Sequence, residues 1–143
     1  LRIFDLLLMK GDILLQNISV RGFIPATAGK NVKEDKKKIK LAIETKLGKN
    51  IESVRNRINS KPLSIGITFY LRAESAHAKK DIQSLNNVLL AVLSPTMASG
   101  KEVETGLDII KDESLICRTI IEKKLVESEK DEGMTFSIYE WSN

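Results

Sequence analysis

Two neighbouring hydrophobic patterns with different periods constrain the fold of this chain more than any other feature. Between Leu63 and Arg72 an apolar residue occupies every second position, which is the period of a β-strand with one buried face. From Ile82 to Leu93 the apolar residues recur at helical spacing, and Pro95 ends the run. A strand that leads into an amphipathic helix predicts a domain in which helices pack on a sheet.

Three further segments have the composition of strands, and one has that of a helix. The predicted strands are Asp12–Arg21, Ser114–Val126 and Met134–Trp141, and the predicted lysine-rich helix is Val32–Leu47. Three polar segments are interpreted as connections: Lys49–Lys61, the segment around Gly100 and Gly106, and Glu127–Gly133. The predicted fold is α/β, a small mixed β-sheet with two main helices in the order β-α-β-α-β-β.

Length and composition favour one folded domain. The chain has 143 residues, of which 42% are hydrophobic and 29% charged, and this balance excludes an intrinsically disordered chain. The opening run Leu1–Met9 is apolar, but Lys10 and Asp12 end it well short of the roughly 18 to 20 residues that span a membrane. We therefore predict that residues 1–11 form an N-terminal extension and residues 12–143 a single domain without a membrane partner.

Cysteine content and net charge limit the classes of protein. Cys117 is the only cysteine, so one chain builds neither an internal disulfide nor a cysteine-based zinc site. It lies among β-branched and apolar residues, which predicts a buried strand position in a reducing, cytoplasmic protein. The formal charge of +4 permits contact with phosphate groups or an anionic surface but requires neither.

Acidic residues stand at two predicted element boundaries. Asp81 precedes the second main helix, where an aspartate commonly caps the free backbone N–H groups. Asp112 and Glu113 precede a predicted strand, four residues after Asp108, and adjacent acids at such a place are usually a solvated turn. Carboxylates from different elements are also what Mg²⁺ requires, because this ion takes oxygen ligands and keeps water and substrate phosphate in its shell. Both interpretations stay open.

Basic residues offer a second kind of chemistry. Six lysines lie in or just before the first helix: Lys30, Lys33, Lys36, Lys37, Lys38 and Lys40. Such a face either contacts DNA phosphates or is simply solvated. His77 is the only histidine and is interpreted as a loop residue, so a histidine-based metal cluster or a serine-type triad has little to build on.

The segment from Lys79 to Ile116 resembles the signature of the RusA family of Holliday junction resolvases. Lys79 and Lys80 match its basic pair, and Asp81 matches its first aspartate. Leu85 matches the leucine of its Asp-x-Asp-Asn-Leu stretch, and Asp112 matches the second member of a later aspartate pair. As a pattern, the resemblance extends over roughly residues 12–141. It implies a small α/β homodimer that cuts branched DNA with Mg²⁺, for which Mn²⁺ can substitute.

The resemblance also implies roles for individual residues. Asp81 and Asp112 would be catalytic metal ligands with Gln83 as a third ligand, because an amide oxygen can ligate a hard cation. The implied DNA contacts are Lys79, Lys80, Lys111, Lys36, Lys37 and Lys38. Four signature positions differ in this chain: Gln83 replaces aspartate, Ser84 asparagine, Asn87 lysine and Lys111 aspartate.

These substitutions leave three functions to compare. The first is a magnesium-dependent endonuclease that resolves branched DNA. The second is a catalytically degenerate relative that binds DNA junctions without cutting them. The third is a partner-binding α/β domain with no nucleic-acid role.

Overall fold

The computed structural model describes residues 11–74, 76–99 and 102–142. Three α-helices lie in these ranges: α1 (Val32–Leu47), α2 (Ile51–Ile58) and α3 (Ile82–Leu93). The β-strands are β1 (Ile13–Arg21), β2 (Leu63–Arg72), β3 (Thr96–Ser99), β4 (Glu102–Thr105), β5 (Ile116–Val126) and β6 (Gly133–Glu140). Short 3-10 helices span Gly48–Asn50, Ala76–Lys79, Glu113–Leu115 and Glu129–Asp131.

Four of the strands form one mixed sheet in the order β1-β6-β2-β5. β6 runs antiparallel to both of its neighbours, whereas β2 and β5 run parallel to each other. The chain must therefore return from the end of β2 to the start of β5, and α3 makes this return. β3 and β4 follow α3 as a separate antiparallel hairpin. The prediction of a mixed α/β fold with a mixed sheet and two main helices is confirmed.

The alternating residues of β2 form the centre of the hydrophobic core. Its five odd-numbered apolar side chains are at most 1% exposed: Leu63, Ile65, Ile67, Phe69 and Leu71. They belong to one cluster with Ile39 and Ile43 of α1 and with Leu85 and Leu89 of α3. The two hydrophobic periods in the sequence thus mark two surfaces that pack against each other.

Two segments that we interpreted as connections contain regular structure. Lys49–Lys61 includes α2, which buries Val54 and Ile58, half-buries Arg55 and exposes Glu52 and Arg57. The segment around Gly106 includes the β3–β4 hairpin, while Gly100 lies outside the described residues. At position 106 a Cβ atom would lie 1.9 Å from the carbonyl oxygen of Ser94, so this close backbone approach requires glycine.

The prediction that Cys117 is buried is wrong. Cys117 is exposed on β5, which lies at an edge of the sheet, so apolar composition along this strand does not bury every side chain. Its thiol lies 3.5 Å from the carbonyl oxygen of Leu115 and donates to it. The predicted N-terminal extension lies outside the described residues except for residue 11. None of the described helices combines the length and apolar character needed to cross a membrane.

Candidate functional site

Asp81 caps the amino terminus of α3. Its backbone is extended, and its carboxylate accepts hydrogen bonds from the backbone N–H of Gln83 at 3.2 Å and from the hydroxyl of Ser84 at 3.1 Å. Both carboxylate oxygens are thus used within the first turn of the helix. This geometry is that of a helix N-cap, which is the structural interpretation we weighed for this residue.

Substitutions at position 81 test this capping role. We expect Asp81→Ala to lower the free energy of unfolding by about 1 kcal/mol, because the first turn of α3 loses its acceptor. Asp81→Asn should leave stability nearly unchanged, since asparagine caps about as well as aspartate. Urea unfolding of both variants measures the difference, and an alanine variant as stable as the parent would contradict the capping role.

Asp112 caps a different turn. Its Oδ1 accepts from the backbone N–H of Ser114 at 2.9 Å and from the Ser114 hydroxyl at 2.6 Å. These two hydrogen bonds, the hydroxyl first, lower the pKa of the exposed Asp112 carboxyl. The neighbouring acids are also engaged: Glu113 accepts from Ser94 Oγ at 2.9 Å, and Asp108 pairs with Lys111 at 2.7 Å.

Asp81 and Asp112 lie at opposite ends of α3. Asp81 precedes its first residue, whereas the N–H groups of Ile109 and Ile110, just before Asp112, donate to the carbonyl oxygen of Leu93 at its last residue. A helix of 12 residues is about 18 Å long. Two ligands of one Mg²⁺ each lie about 2 Å from the ion. Asp81 and Asp112 of one chain therefore cannot share an ion.

Neither Gln83 nor any other group of described side chains supplies the ligands that a magnesium site would need. Gln83 lies in the first turn of α3, where its amide nitrogen is 3.4 Å from Oδ1 of Asn87, so it too lies near the end of the helix opposite to Asp112. Across the described parts of the chain, no group of three histidine, cysteine, aspartate or glutamate side chains is placed to hold a metal ion. The residues present do not fit the magnesium site that the resemblance implies.

Two of the predicted DNA-contacting lysines lie at one groove, which we call the basic groove, and a third precedes one of them in the sequence. A depression of about 190 Å³ between α1 and α3 is lined by Thr27, Val32, Lys36, Ser84, Asn87 and Val88. Lys80 lies next to it, because its ammonium group donates to the carbonyl oxygen of Pro25 at 3.3 Å. Lys79 is the adjacent residue and is exposed. We define the basic groove as Lys36, Lys79 and Lys80 together with the polar residues Thr27, Ser84 and Asn87.

The other predicted basic contacts point elsewhere. Lys37 forms ion pairs with Glu34 at 3.7 Å and with Glu104 of β4 at 3.4 Å. Lys38 lies over the ring of Phe23, with its nitrogen 4.0 Å from the ring centre. Lys111 pairs with Asp108 beyond the far end of α3. The lysine-rich sequence of α1 therefore does not form one uniform DNA-binding face.

Two more lysines of the predicted basic set contact β4. Lys33 lies 3.5 Å from Glu104, and Lys40 donates to the carbonyl oxygen of Thr105 at 2.7 Å. These contacts hold the hairpin against α1. They give part of the lysine-rich segment a structural role that sequence alone did not indicate.

A buried charge cluster at the end of β2 was missed by sequence reasoning. The Glu132 side chain is 1% exposed, and its carboxylate accepts from the Arg72 backbone N–H at 2.9 Å, from Arg72 Nε at 3.3 Å and from His77 Nδ1 at 2.9 Å. Burial raises the pKa of Glu132, but the hydrogen bonds and charges of Arg72 and His77 outweigh it and lower the pKa below its ordinary value. We interpreted Glu132 as part of a polar turn, and no local sequence signal marked it as buried.

The cluster orders the segment that leads into the basic groove. Glu132 holds His77 within the 3-10 helix Ala76–Lys79, and the N–H of Lys80 donates to the carbonyl oxygen of His77 at 3.0 Å. On β5, Lys123 donates to the carbonyl oxygens of Ala78 and Lys80, both at 2.9 Å. The backbone that carries Lys79 and Lys80 is thus fixed from two sides.

Comparisons with protein-family models, curated proteins and solved structures found no significant match for this chain.

Proposed function

We propose that this chain binds the phosphate backbone of branched DNA through the basic groove, without cutting it by a two-carboxylate magnesium mechanism. The observation that carries the proposal is the placement of Lys36 and Lys80 around the first turns of α3. Lysine side chains in such a groove neutralise phosphate charge and release bound counterions. The hydroxyl group of Thr27 and the amide of Asn87, which also line the groove, are side chains that commonly hydrogen-bond phosphate oxygens.

The proposal selects the binding function over the cleaving one. Metal-dependent cleavage as implied by the resemblance needs Asp81 and Asp112 at one ion, and α3 holds them apart. Both carboxylates instead stabilise turns of the backbone. Phosphate binding by the basic groove does not require two distant side chains to meet at one ion, because each lysine can contact a different phosphate. The preference for branched DNA rests on the sequence resemblance, whereas the groove itself fits any phosphate backbone.

Salt dependence of DNA binding tests the basic groove. We expect the triple variant Lys36→Ala, Lys79→Ala, Lys80→Ala to bind a labelled four-way junction more weakly. The slope of log K against log salt should fall by roughly 2 to 3 units, because each lost phosphate contact contributes about 0.9. Fluorescence anisotropy between about 50 and 200 mM salt measures both quantities, with a linear duplex of the same length alongside.

A matched control removes three lysines at the opposite end of the domain: Lys46, Lys49 and Lys61. Lys46 lies in the last turn of α1, Lys49 follows this helix, and Lys61 precedes β2. The triple alanine variant has the same net charge as the groove variant. We expect it to keep the parental salt slope. Equal weakening by both triple variants would show that net charge, and not the basic groove, governs binding. No salt-dependent binding by the parent protein would instead favour the partner-binding alternative.

The oligomeric state and the cellular location stay predictions. We propose a homodimer, since a two-fold symmetric protein suits the symmetry of a four-way junction. A cytoplasmic location is also proposed, because the single cysteine favours a reducing compartment.

A further inference from the structure

The strand β5 forms one edge of the four-stranded sheet. It has 11 residues, and its register with β2 is continuous from the pair Ser64–Arg118 to the pair Arg72–Val126. Within the described ranges β5 pairs only with β2. Its outer side therefore presents a regular row of backbone N–H and C=O groups, which is a template for another strand.

The opposite edge of the sheet is built differently. β1 has two register shifts against β6, between Ile13 and Leu15 and between Leu15 and Ile18. Asn17 lies within the second shift with a φ of 50°, and its N–H donates to the side chain of Ser137. Such irregularities bend a strand and protect an edge from pairing with another chain. The β5 edge lacks this protection from Arg118 onward.

We propose that β5 pairs antiparallel with β5 of a second copy of this chain, about a two-fold axis that passes through Ile120 perpendicular to the sheet. The two sheets then join into one sheet of eight strands with the two β5 strands at its centre. In this register Arg118 faces Glu122 of the second copy, and the symmetry creates this opposite-charge pair twice. Arg118 and Glu122 point to the same face of the sheet, because their β2 partners Ser64 and Thr68 are four residues apart.

The charges along β5 favour the two-fold axis at Ile120 over an axis at a neighbouring residue. An axis at residue 121 would place Arg118 opposite Lys124 of the second copy. An axis at residue 122 would place two Glu122 side chains opposite each other, and one at residue 123 would pair Glu122 with Lys124 but set two Lys123 side chains opposite each other. An axis at residue 119 would pair no opposite charges. Like charges directly opposite are destabilising, whereas opposite charges stabilise a strand pair by about 0.2–1 kcal/mol. The axis at Ile120 gives two favourable pairs and no like-charge pair.

The same register covers apolar surface. The side chain of Leu125 is 60% exposed, which is high for leucine in a strand, and it would lie beside the start of β5 of the second copy. Thr119 would face Ile121 of the second copy, and Ile120 would face its own symmetry mate. These contacts are the β-branched and apolar pairs that stabilise antiparallel strands. The pairing concerns the chain alone and does not depend on whether it binds DNA.

Charge reversal tests the proposed pair. Arg118→Glu and Glu122→Arg each turn two attractive contacts into repulsive ones, so each should raise the dimer dissociation constant about tenfold or more. The double variant Arg118→Glu, Glu122→Arg restores opposite charges and should return the dissociation constant close to the parental value. Sedimentation equilibrium measures the association, and circular dichroism confirms that each variant is folded.

Disulfide trapping tests the register independently. In a Cys117→Ser background, Ile120→Cys should form a covalent dimer on mild oxidation, because directly opposite Cα atoms lie about 4.5–5.5 Å apart, within disulfide reach. Thr119→Cys is the matched control. Its two copies would be offset by two residues, or about 7 Å along the strand, and should not cross-link. The parental Cys117 should likewise stay reduced, since its two copies would be offset by six residues.

Three results would overturn the proposal. One is a parent chain that stays monomeric at millimolar concentration. Another is a double charge variant that associates no better than the single variants. The third is cross-linking of Thr119→Cys as efficient as that of Ile120→Cys. If Ile120→Cys fails to fold, the dissociation constants of the single and double charge variants still test the proposed pairing.

Discussion

Replacing Glu132 with alanine is expected to lower the free energy of unfolding by about 3 kcal/mol. The carboxylate is buried and accepts hydrogen bonds from the backbone and side chain of Arg72 and from His77. Its loss leaves the backbone N–H of Arg72 without this partner, breaks the ion pair with the Arg72 side chain and removes the hydrogen-bond partner of His77. Removing one partner of a fully buried pair costs about 3–5 kcal/mol, and the lower end applies because Arg72 and His77 are each about one-third exposed.

The matched control is Glu129→Ala. Glu129 is an exposed acid three residues earlier, in the 3-10 helix Glu129–Asp131, and its substitution should change stability by less than about 0.5 kcal/mol. Chemical unfolding of both variants at neutral pH measures the contrast. Similar small effects of the two substitutions would show that Glu132 does not stabilise the fold as we infer.

The stabilisation by Glu132 should depend on pH in the acid range. Its pKa is lower in the folded protein than in the unfolded chain, so the folded state binds this proton less readily. The contribution is therefore complete above the unfolded pKa of about 4.3 and is lost as the pH falls through the folded pKa. The difference in unfolding free energy between the parent and Glu132→Gln should be constant near neutrality and shrink below about pH 4.

Phe69→Ala is expected to destabilise the protein by about 3–5 kcal/mol. Phe69 is fully buried at the centre of the sheet, opposite Met134 of β6 and Lys123 of β5. Truncation removes buried apolar surface and leaves a cavity that the surrounding strands cannot fill completely. Thermal and urea unfolding measure the loss.

Leu41→Ala is the control for core truncation. Leu41 lies on α1 and is 66% exposed, so alanine removes little buried surface and is a good helix former. We expect a change of less than about 0.5 kcal/mol. Comparable losses for Phe69→Ala and Leu41→Ala would contradict the location of the core.

The parts of the fold that sequence predicted are those with an uninterrupted hydrophobic period. The alternation in β2 and the apolar stripe of α3 appear in the structure at the predicted residues. The element α2 was missed because it is short and mostly polar, and its two buried residues give too weak a period. The β3–β4 hairpin was missed because each strand has only four residues and the nearby glycines favoured a loop.

The positions of Lys79 and Lys80 relative to α3 were predictable from the sequence, whereas the separation of Asp81 and Asp112 was not. Lys79 and Lys80 directly precede the cap of α3, so the start of this helix gave their place along the chain. The contacts from Glu132 and Lys123 that hold their backbone had no local sequence signal. Whether Asp81 and Asp112 meet depends on the path of the 30 residues between them, counted on the sequence. That path follows the full length of α3 and then the hairpin that sequence reasoning missed. Spacing along the chain therefore could not reveal that the two acids lie apart.

The burial of Glu132 was unpredictable for a related reason. It lies after a run of polar residues, which is typical of an exposed turn. Its partners Arg72 and His77 are 60 and 55 residues away in sequence. Only the tertiary structure brings them together, and no local pattern identifies such a cluster.

The most direct test of the account is one assay that measures binding and cleavage of a synthetic four-way junction together. The parent protein is titrated onto the junction with Mg²⁺ and then with Mn²⁺, and each sample is divided between a native gel and a denaturing gel. We predict salt-sensitive junction binding on the native gel and intact strands on the denaturing gel with both metals. Symmetric, metal-dependent cuts that Asp81→Asn or Asp112→Asn abolishes would contradict the account, because they would show that the two separated acids act in one catalytic site.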